Sequence, residues 1–134
     1  NPKLTHSRSH EYGSGIMEAI VTNVPFQLGG NVLNNGFITN LPKDAVVEVP
    51  CLVDSAGVQG TYVGALPTPC AALNMTNINV QLLTIDAALT RKRERIYQAA
   101  LLDPHTSSEL SIDDTIAMCD ALIDAHGDML PKYR

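Results

Sequence analysis

The densest group of reactive side chains lies near the start of the chain. Arg8-Ser9-His10-Glu11-Tyr12 places a guanidinium, an imidazole, a carboxylate and a phenol within five residues. A guanidinium can grip a carboxylate or a pair of hydroxyls in bidentate fashion. His10 and Glu11 can accept hydrogen bonds from hydroxyls, and Tyr12 offers a ring face and its own O–H. The plain alternative is a polar lead-in whose side chains only cap the helix that follows. His6 and His10 stand four apart, a spacing that on a helix turns two imidazoles to one side as metal ligands do. In a polar stretch such a pair is common without any role, and no metal site is assigned to it. Gly13-Ser14-Gly15 lacks the further glycine of a dinucleotide-binding loop, and no strand precedes it. Cys51, Cys70 and Cys119 are odd in number and have no CxxC spacing. They read as reduced thiols, buried on apolar faces, in a cytoplasmic protein.

Bulk properties narrow the partners. The net charge is −5, which argues against a nucleic-acid partner, because phosphate binding needs a clustered basic excess. The one basic run, Arg91-Lys92-Arg93-Glu94-Arg95, is broken by a glutamate and reads as a solvated helix start. No apolar run is long enough for a membrane span, and no signal peptide is visible. The chain begins Asn1-Pro2 rather than with methionine, so a preceding piece is expected.

Around these residues the hydrophobic period sets the elements. GSGIMEAIVTN reads as a short helix with Ser14 as a possible N-cap, ended by Asn23-Val24-Pro25. From Phe26 to Val63 the period becomes two. Short strand-like pieces are expected, punctuated by Gly29-Gly30 and by Asn34-Asn35-Gly36, the latter a hairpin signal. AVVEVPCLVD is the clearest strand. It is apolar on nearly both sides and so expected to be buried, with Pro50 demanding an edge or a bulge. Residues 54–57 form a turn, and Val58 to Val63 return antiparallel. Asn31, Asn34, Asn35 and Asn40 could hold a loop through side-chain to backbone bonds or touch a ligand, but asparagine is common in turns for backbone reasons alone, and the turn reading is taken. The second half is helical. Thr68 caps and Pro69 opens a helix to about Leu89, and a second helix surrounds 96–102 and stops at Asp103-Pro104. His105 falls in a loop. A last helix starts at Ser111, with Ile112, Ile116, Cys119 and Ile123 as its inner stripe, and ends at Gly127. Met75, Met118 and Met129 read as core or interface fillers. The layout is α+β, antiparallel strands packed with helices.

Three segments in this order resemble the C-terminal region of glycoside hydrolase family 4: RSHEYGSGIMEAI (8–20), NVLNNGFITNLPKDAVVEVPCLVDSAGV (31–58) and QAALLDPHTSSELSIDDTIAMCDALIDAHGDMLP (98–131). The wording is most similar to the α-galactosidase (melibiase) branch. The resemblance implies that 1–134 is a lactate/malate dehydrogenase-like C-terminal α+β domain, separated from an N-terminal NAD-binding Rossmann domain. It implies an intact enzyme that hydrolyses α-galactosides or related α-glycosides by oxidation and elimination. Bound NAD oxidises a sugar hydroxyl, a base removes the acidified neighbouring proton, the aglycone leaves, and water adds before re-reduction. This differs from two-carboxylate hydrolysis. A divalent metal, usually Mn2+, polarises the sugar oxygens.

NAD and Mn2+ are expected to be bound mainly outside this segment, together with the catalytic residues. Arg8, His10, Glu11 and Tyr12 are the substrate-binding candidates, at the mouth of a cleft lined by the first helix. The implied partner is a small glycoside. A homo-oligomer is expected through the apolar faces at 71–89 and 96–102. A non-catalytic oligomerisation domain and the matching half of a hydroxyacid dehydrogenase remain as alternatives.

Overall fold

The structure is a computed structural model and describes residues 11–134; Arg8, His10 and His6 lie outside the described residues. The elements run α1 (Gly13–Thr22), β1 (Phe26–Leu33), β2 (Val46–Asp54), β3 (Gly57–Gly60), α2 (Thr68–Thr90), α3 (Arg93–Leu102), α4 (Pro104–Glu109), α5 (Ile112–His126) and a 3-10 turn, Gly127–Met129. The expected α+β order is present, strands first and helices after. Two compact units divide between Ala65 and Leu66.

The first unit is a three-stranded antiparallel sheet, ordered β1-β2-β3, with α1 against it. Val47, Val49, Cys51 and Val53 point to the buried side of β2, and Val53 is 0% exposed. Burial of a Val side chain contributes about 1.5–3 kcal/mol, so this row is the unit's main apolar support. The opposite face of β2 is not buried as expected. Val46, Glu48 and Pro50 are exposed, because nothing in this unit packs on that side. The period-two alternation, not the richness in valine, reported the burial.

Gly29-Gly30 does not interrupt β1, contrary to the sequence reading. The pair faces Pro50 and Val49. A Cβ on Gly29 would lie 2.9 Å from Glu48 Oε1, and one on Gly30 2.9 Å from Cys51 Sγ. The glycines make room for β2 side chains while the ladder continues. Pro50 sits in the central strand, yet the edge its ring demands is real. β3 pairs only with Cys51–Asp54, and the Pro50 carbonyl receives the Thr61 amide (2.9 Å) and hydroxyl (2.7 Å) beyond the end of β3. A residue's N–H and C=O point to the same side of a strand, so the missing donor falls where no ladder runs. β3 ends at Gly60, earlier than the expected Val63. Phe37 occupies the space beside it, 2.7 Å from where a Gly60 Cβ would be.

The Asn-Gly signal marks a turn but not a two-residue hairpin. Asn35 and Gly36 have φ of 47° and 98°, and the Phe37 amide donates to the Asn34 carbonyl (2.8 Å). This tight turn lies inside a longer connection from Leu33 to Val46. Asn34 is its hub and is 0% exposed. Its Nδ2 donates to the carbonyls of Ile38 (2.9 Å), Leu41 (3.0 Å) and Pro42 (2.9 Å), and its Oδ1 accepts from the Ile38 amide (2.7 Å).

The second unit is helical. α2 begins at Thr68, with Pro67 rather than Thr68 as N-cap and no side-chain cap. It stops where Arg91 turns left-handed, φ 57°. α3 starts three residues before the expected Ile96. Asp103-Pro104 ends α3 as expected, but also begins α4, which the sequence reading missed. The Asp103 carboxylate accepts from the Thr106 amide (2.8 Å) and hydroxyl (2.9 Å), and Pro104 takes the first helical position. His105 therefore belongs to a helix, not a loop. Ser111 caps α5 through the Asp114 amide (3.2 Å), and Gly127 ends it with φ 49°. The buried side of α5 is Thr115 and Cys119; Ile112 is exposed because it precedes the first full turn against α3. Cys51 and Cys119 are buried free thiols as expected, whereas Cys70, on the first turn of α2, is exposed. Met129 is exposed rather than packed.

Candidate functional site

Of the four substrate-binding candidates, Glu11 and Tyr12 are described, and both are exposed. They form the entrance to α1. Tyr12 is its N-cap residue with helical backbone angles, and its carbonyl accepts from the Ile16 amide (3.0 Å). Among the described residues, neither Tyr12 nor Ser14 makes a side-chain cap.

What fixes the entrance is the buried underside of α1. Gly15 and Ala19 lie against the sheet. A Cβ on Gly15 would come within 2.8 Å of the Phe26 ring, so this glycine is required for helix-to-strand packing rather than for a phosphate. At the other end of α1 the Asn23 side chain accepts from the Ser55 amide (3.1 Å), tying the helix to the β2–β3 turn. Among the described residues, no group of three His, Cys, Asp or Glu side chains comes together that could hold a metal ion.

The second unit carries a polar cluster that sequence reading missed. Arg93 Nε donates to the Tyr97 hydroxyl (2.6 Å), Arg93 Nη2 to Asp120 Oδ1 (2.7 Å), and the Tyr97 hydroxyl to the same oxygen (2.5 Å). The i, i+4 spacing of Arg93 and Tyr97 was the available signal; their meeting with Asp120 on α5 was not visible. The Tyr97 and Arg93 hydrogen bonds hold the Asp120 carboxyl below the usual carboxylate range, and the same carboxylate raises the Tyr97 phenol. The basic run is thus partly paired rather than simply solvated. Arg95 also lies 2.9 Å from Asp86 across α2 and α3, in an ionic contact rather than a directed hydrogen bond. Asp103 is likewise held low, first by the Thr106 amide and then by the Thr106 hydroxyl.

Both carboxyls titrate lower folded than unfolded. Their contribution is therefore fully present above the ordinary carboxylate range and is lost as pH falls through the folded values. The expected result is an acid limb in chemical denaturation of the protein that is flattened in Asp120→Asn. An unchanged limb would remove the cluster from the acid response.

The chain belongs to a glycoside hydrolase family. It matches the family described as Family 4 glycosyl hydrolase C-terminal domain over residues 1–106. It is 62% identical over 134 residues, 100% of this chain and 31% of the relative, to an alpha-galactosidase of Bacillus subtilis (strain 168). It is 36% identical over 132 residues, 98% of this chain and 27% of the relative, to an alpha-galactosidase of Rhizobium meliloti (strain 1021). A solved 6-phospho-alpha-glucosidase from gut microorganisms, in complex with NAD and glucose-6-phosphate, overlays 90% of this chain and 26% of its own with a TM-score of 0.80 at 26% identity. The chain thus spans under a third of the length of these relatives.

Proposed function

We propose that this chain is the C-terminal α+β domain of a family 4 glycosidase that hydrolyses α-galactosides with NAD and Mn2+, and that an NAD-binding Rossmann domain precedes it. The observation that supports this most is the 62% identity to an alpha-galactosidase along the whole chain. NAD is named for four of the solved neighbours and manganese for two of them. The described residues do not supply a metal's ligand set, and Gly15 is committed to Phe26. No chemical step is therefore assigned to either cofactor within this segment.

The segment's own part is to present Arg8, His10, Glu11 and Tyr12 to the glycoside. Arg8 bridges two sugar hydroxyls, His10 and Glu11 accept from hydroxyls, and Tyr12 stacks or donates. The exposed α1 entrance, with side chains not spent on capping, supports this role for Glu11 and Tyr12. The cytoplasm is the proposed location, on the strength of two buried free thiols, Cys51 and Cys119.

The intact protein, assayed on an aryl α-galactoside, is expected to lose turnover to background when either NAD or Mn2+ is omitted. Turnover indifferent to both would overturn the assignment. Arg8→Ala is expected to lower kcat/KM by about tenfold or more, equal to ~1.4 kcal/mol of transition-state binding. An unchanged value would take Arg8 out of the site.

A second reading, association between copies, is favoured by one observation. Leu73, Ile85 and Leu89 on α2 and Leu102 on α3 are exposed, Leu89 by 80%. A contiguous exposed apolar patch marks a contact surface. Sedimentation of the intact protein that stays monomeric at every concentration would dismiss this reading.

A further inference from the structure

Asn34 and Asn35 are neighbours of the same type in opposite situations. The Asn34 side-chain amide is buried and engaged by three carbonyls. Asn35 is exposed, left-handed at φ 47°, and followed by Gly36. Where Gly36 would carry a Cβ there is nothing within 4 Å, so that side of the turn is open. The Gly36 amide makes no hydrogen bond among the described residues, whereas the amides on either side do. The Asn35 amide donates to the Lys43 carbonyl (3.0 Å) and the Phe37 amide to the Asn34 carbonyl (2.8 Å). An exposed asparagine therefore precedes a backbone nitrogen that no hydrogen bond holds.

We propose that Asn35-Gly36 is a site of spontaneous modification, and that the Asn34 clasp sets its rate. In the reaction the Gly36 amide nitrogen loses its proton and bonds to the Asn35 side-chain carbonyl carbon. The bond from that carbon to Nδ2 breaks, and ammonia leaves. Water then opens the five-membered imide at either carbonyl, giving aspartate or the branched isoaspartyl linkage. No oxidant, metal or enzyme is needed.

Ring closure requires the Asn35 backbone to swing out of its left-handed turn. The turn is held closed by the Asn35 and Phe37 amide bonds and by the four side-chain bonds of Asn34. The folded state therefore slows the reaction without preventing it. The isoaspartyl product adds a backbone carbon beside the Asn34 hub and lengthens the connection whose Asn34 amide is fixed to the Ala45 carbonyl (2.8 Å). The modification thus reaches the start of β2, not only the loop surface.

The test is peptide mapping by mass spectrometry of the intact protein after prolonged incubation in mildly alkaline buffer, beside the same protein in urea. Three results are expected. Asn35 exchanges its amide for a carboxyl, with the branched product in excess. Asn34 and Asn31 stay as amides in the folded protein. Conversion of Asn35 in urea is several-fold faster than in buffer.

Asn34→Ser, which keeps a polar group but removes the amide clasp, should bring the buffer rate close to the urea rate. Should it not fold, hydrogen exchange of the wild-type Phe37 amide reports the same opening. Conversion should then follow that exchange rate as temperature is raised. Asn35 left intact in buffer while it converts in urea would overturn the site. Equal rates in buffer and urea would overturn the role of the clasp.

Discussion

Asn34→Ala is expected to destabilise the chain by about 3 kcal/mol or more, read as a fall in the urea midpoint at unchanged slope. The side chain is fully buried and serves four backbone groups at 2.7–3.0 Å. Truncation leaves the Leu41 carbonyl and the Ile38 amide unpaired, while the Ile38 and Pro42 carbonyls keep only the longer bonds from the Leu41 (3.4 Å) and Ala45 (3.3 Å) amides. A buried polar group left unpaired costs about 1–3 kcal/mol. Alanine cannot admit water to these two, because Ile38 and Leu41 are themselves buried. Asn34→Asp separates shape from chemistry. It fits the space but loses both Nδ2 donors and turns an anion toward three carbonyls, so at neutral pH it should be at least as damaging as alanine. As pH falls and the carboxyl protonates, one donor returns and part of the loss is recovered. An Asn34→Asp variant as stable as the wild type would show that the clasp contributes nothing.

The second large effect is expected at Gly15. Its missing Cβ leaves room for the Phe26 ring, three of whose atoms would stand 2.8–3.1 Å from a side chain there. Overpacking of a well-filled contact costs about 1–3 kcal/mol. Gly15→Val should lie at the upper end of that range, since its branch is stiff in a helix and cannot turn aside. Phe26→Ala alone should also destabilise, by removing the ring. The two together should be much less damaging than their sum, because the valine then fills the space the ring has left. Additive losses would mean that helix and strand do not meet at this point. In the intact protein, Gly15→Val should also lower kcat/KM, because α1 carries Glu11 and Tyr12 at its entrance.

These two residues also show what could and could not be read from the sequence. The period-two row of β2 and the 3.6-period helices were visible, because each alternates apolar and polar residues along a single element. Ser111 and Gly127 were legible as the ends of α5, since capping chemistry is local. That an asparagine could clasp the loop was legible, but which one was not, because the partners of Asn34 lie four to eight residues away around a curve the sequence does not display. Gly15 read as half of a failed phosphate loop, because its partner is on another element. The short α4 was hidden by a proline that ends one helix and starts the next. At the candidate site, the residue types and the helix that follows them were legible.

The two units also differ in time. Every contact along the first hairpin requires the chain to close a long connection, bringing Phe26 to Val53 and Leu33 to Val46. Closure entropy must be met before any ladder bond forms. In the second unit α2 meets α3 across the short Arg91–Lys92 connection, and α3 meets α4 at Asp103. Chains rich in local contacts fold faster than those that pair distant strands. The helical half is therefore expected to gain amide protection first on refolding, and the sheet beneath α1 later, an order that pulsed hydrogen exchange reads directly.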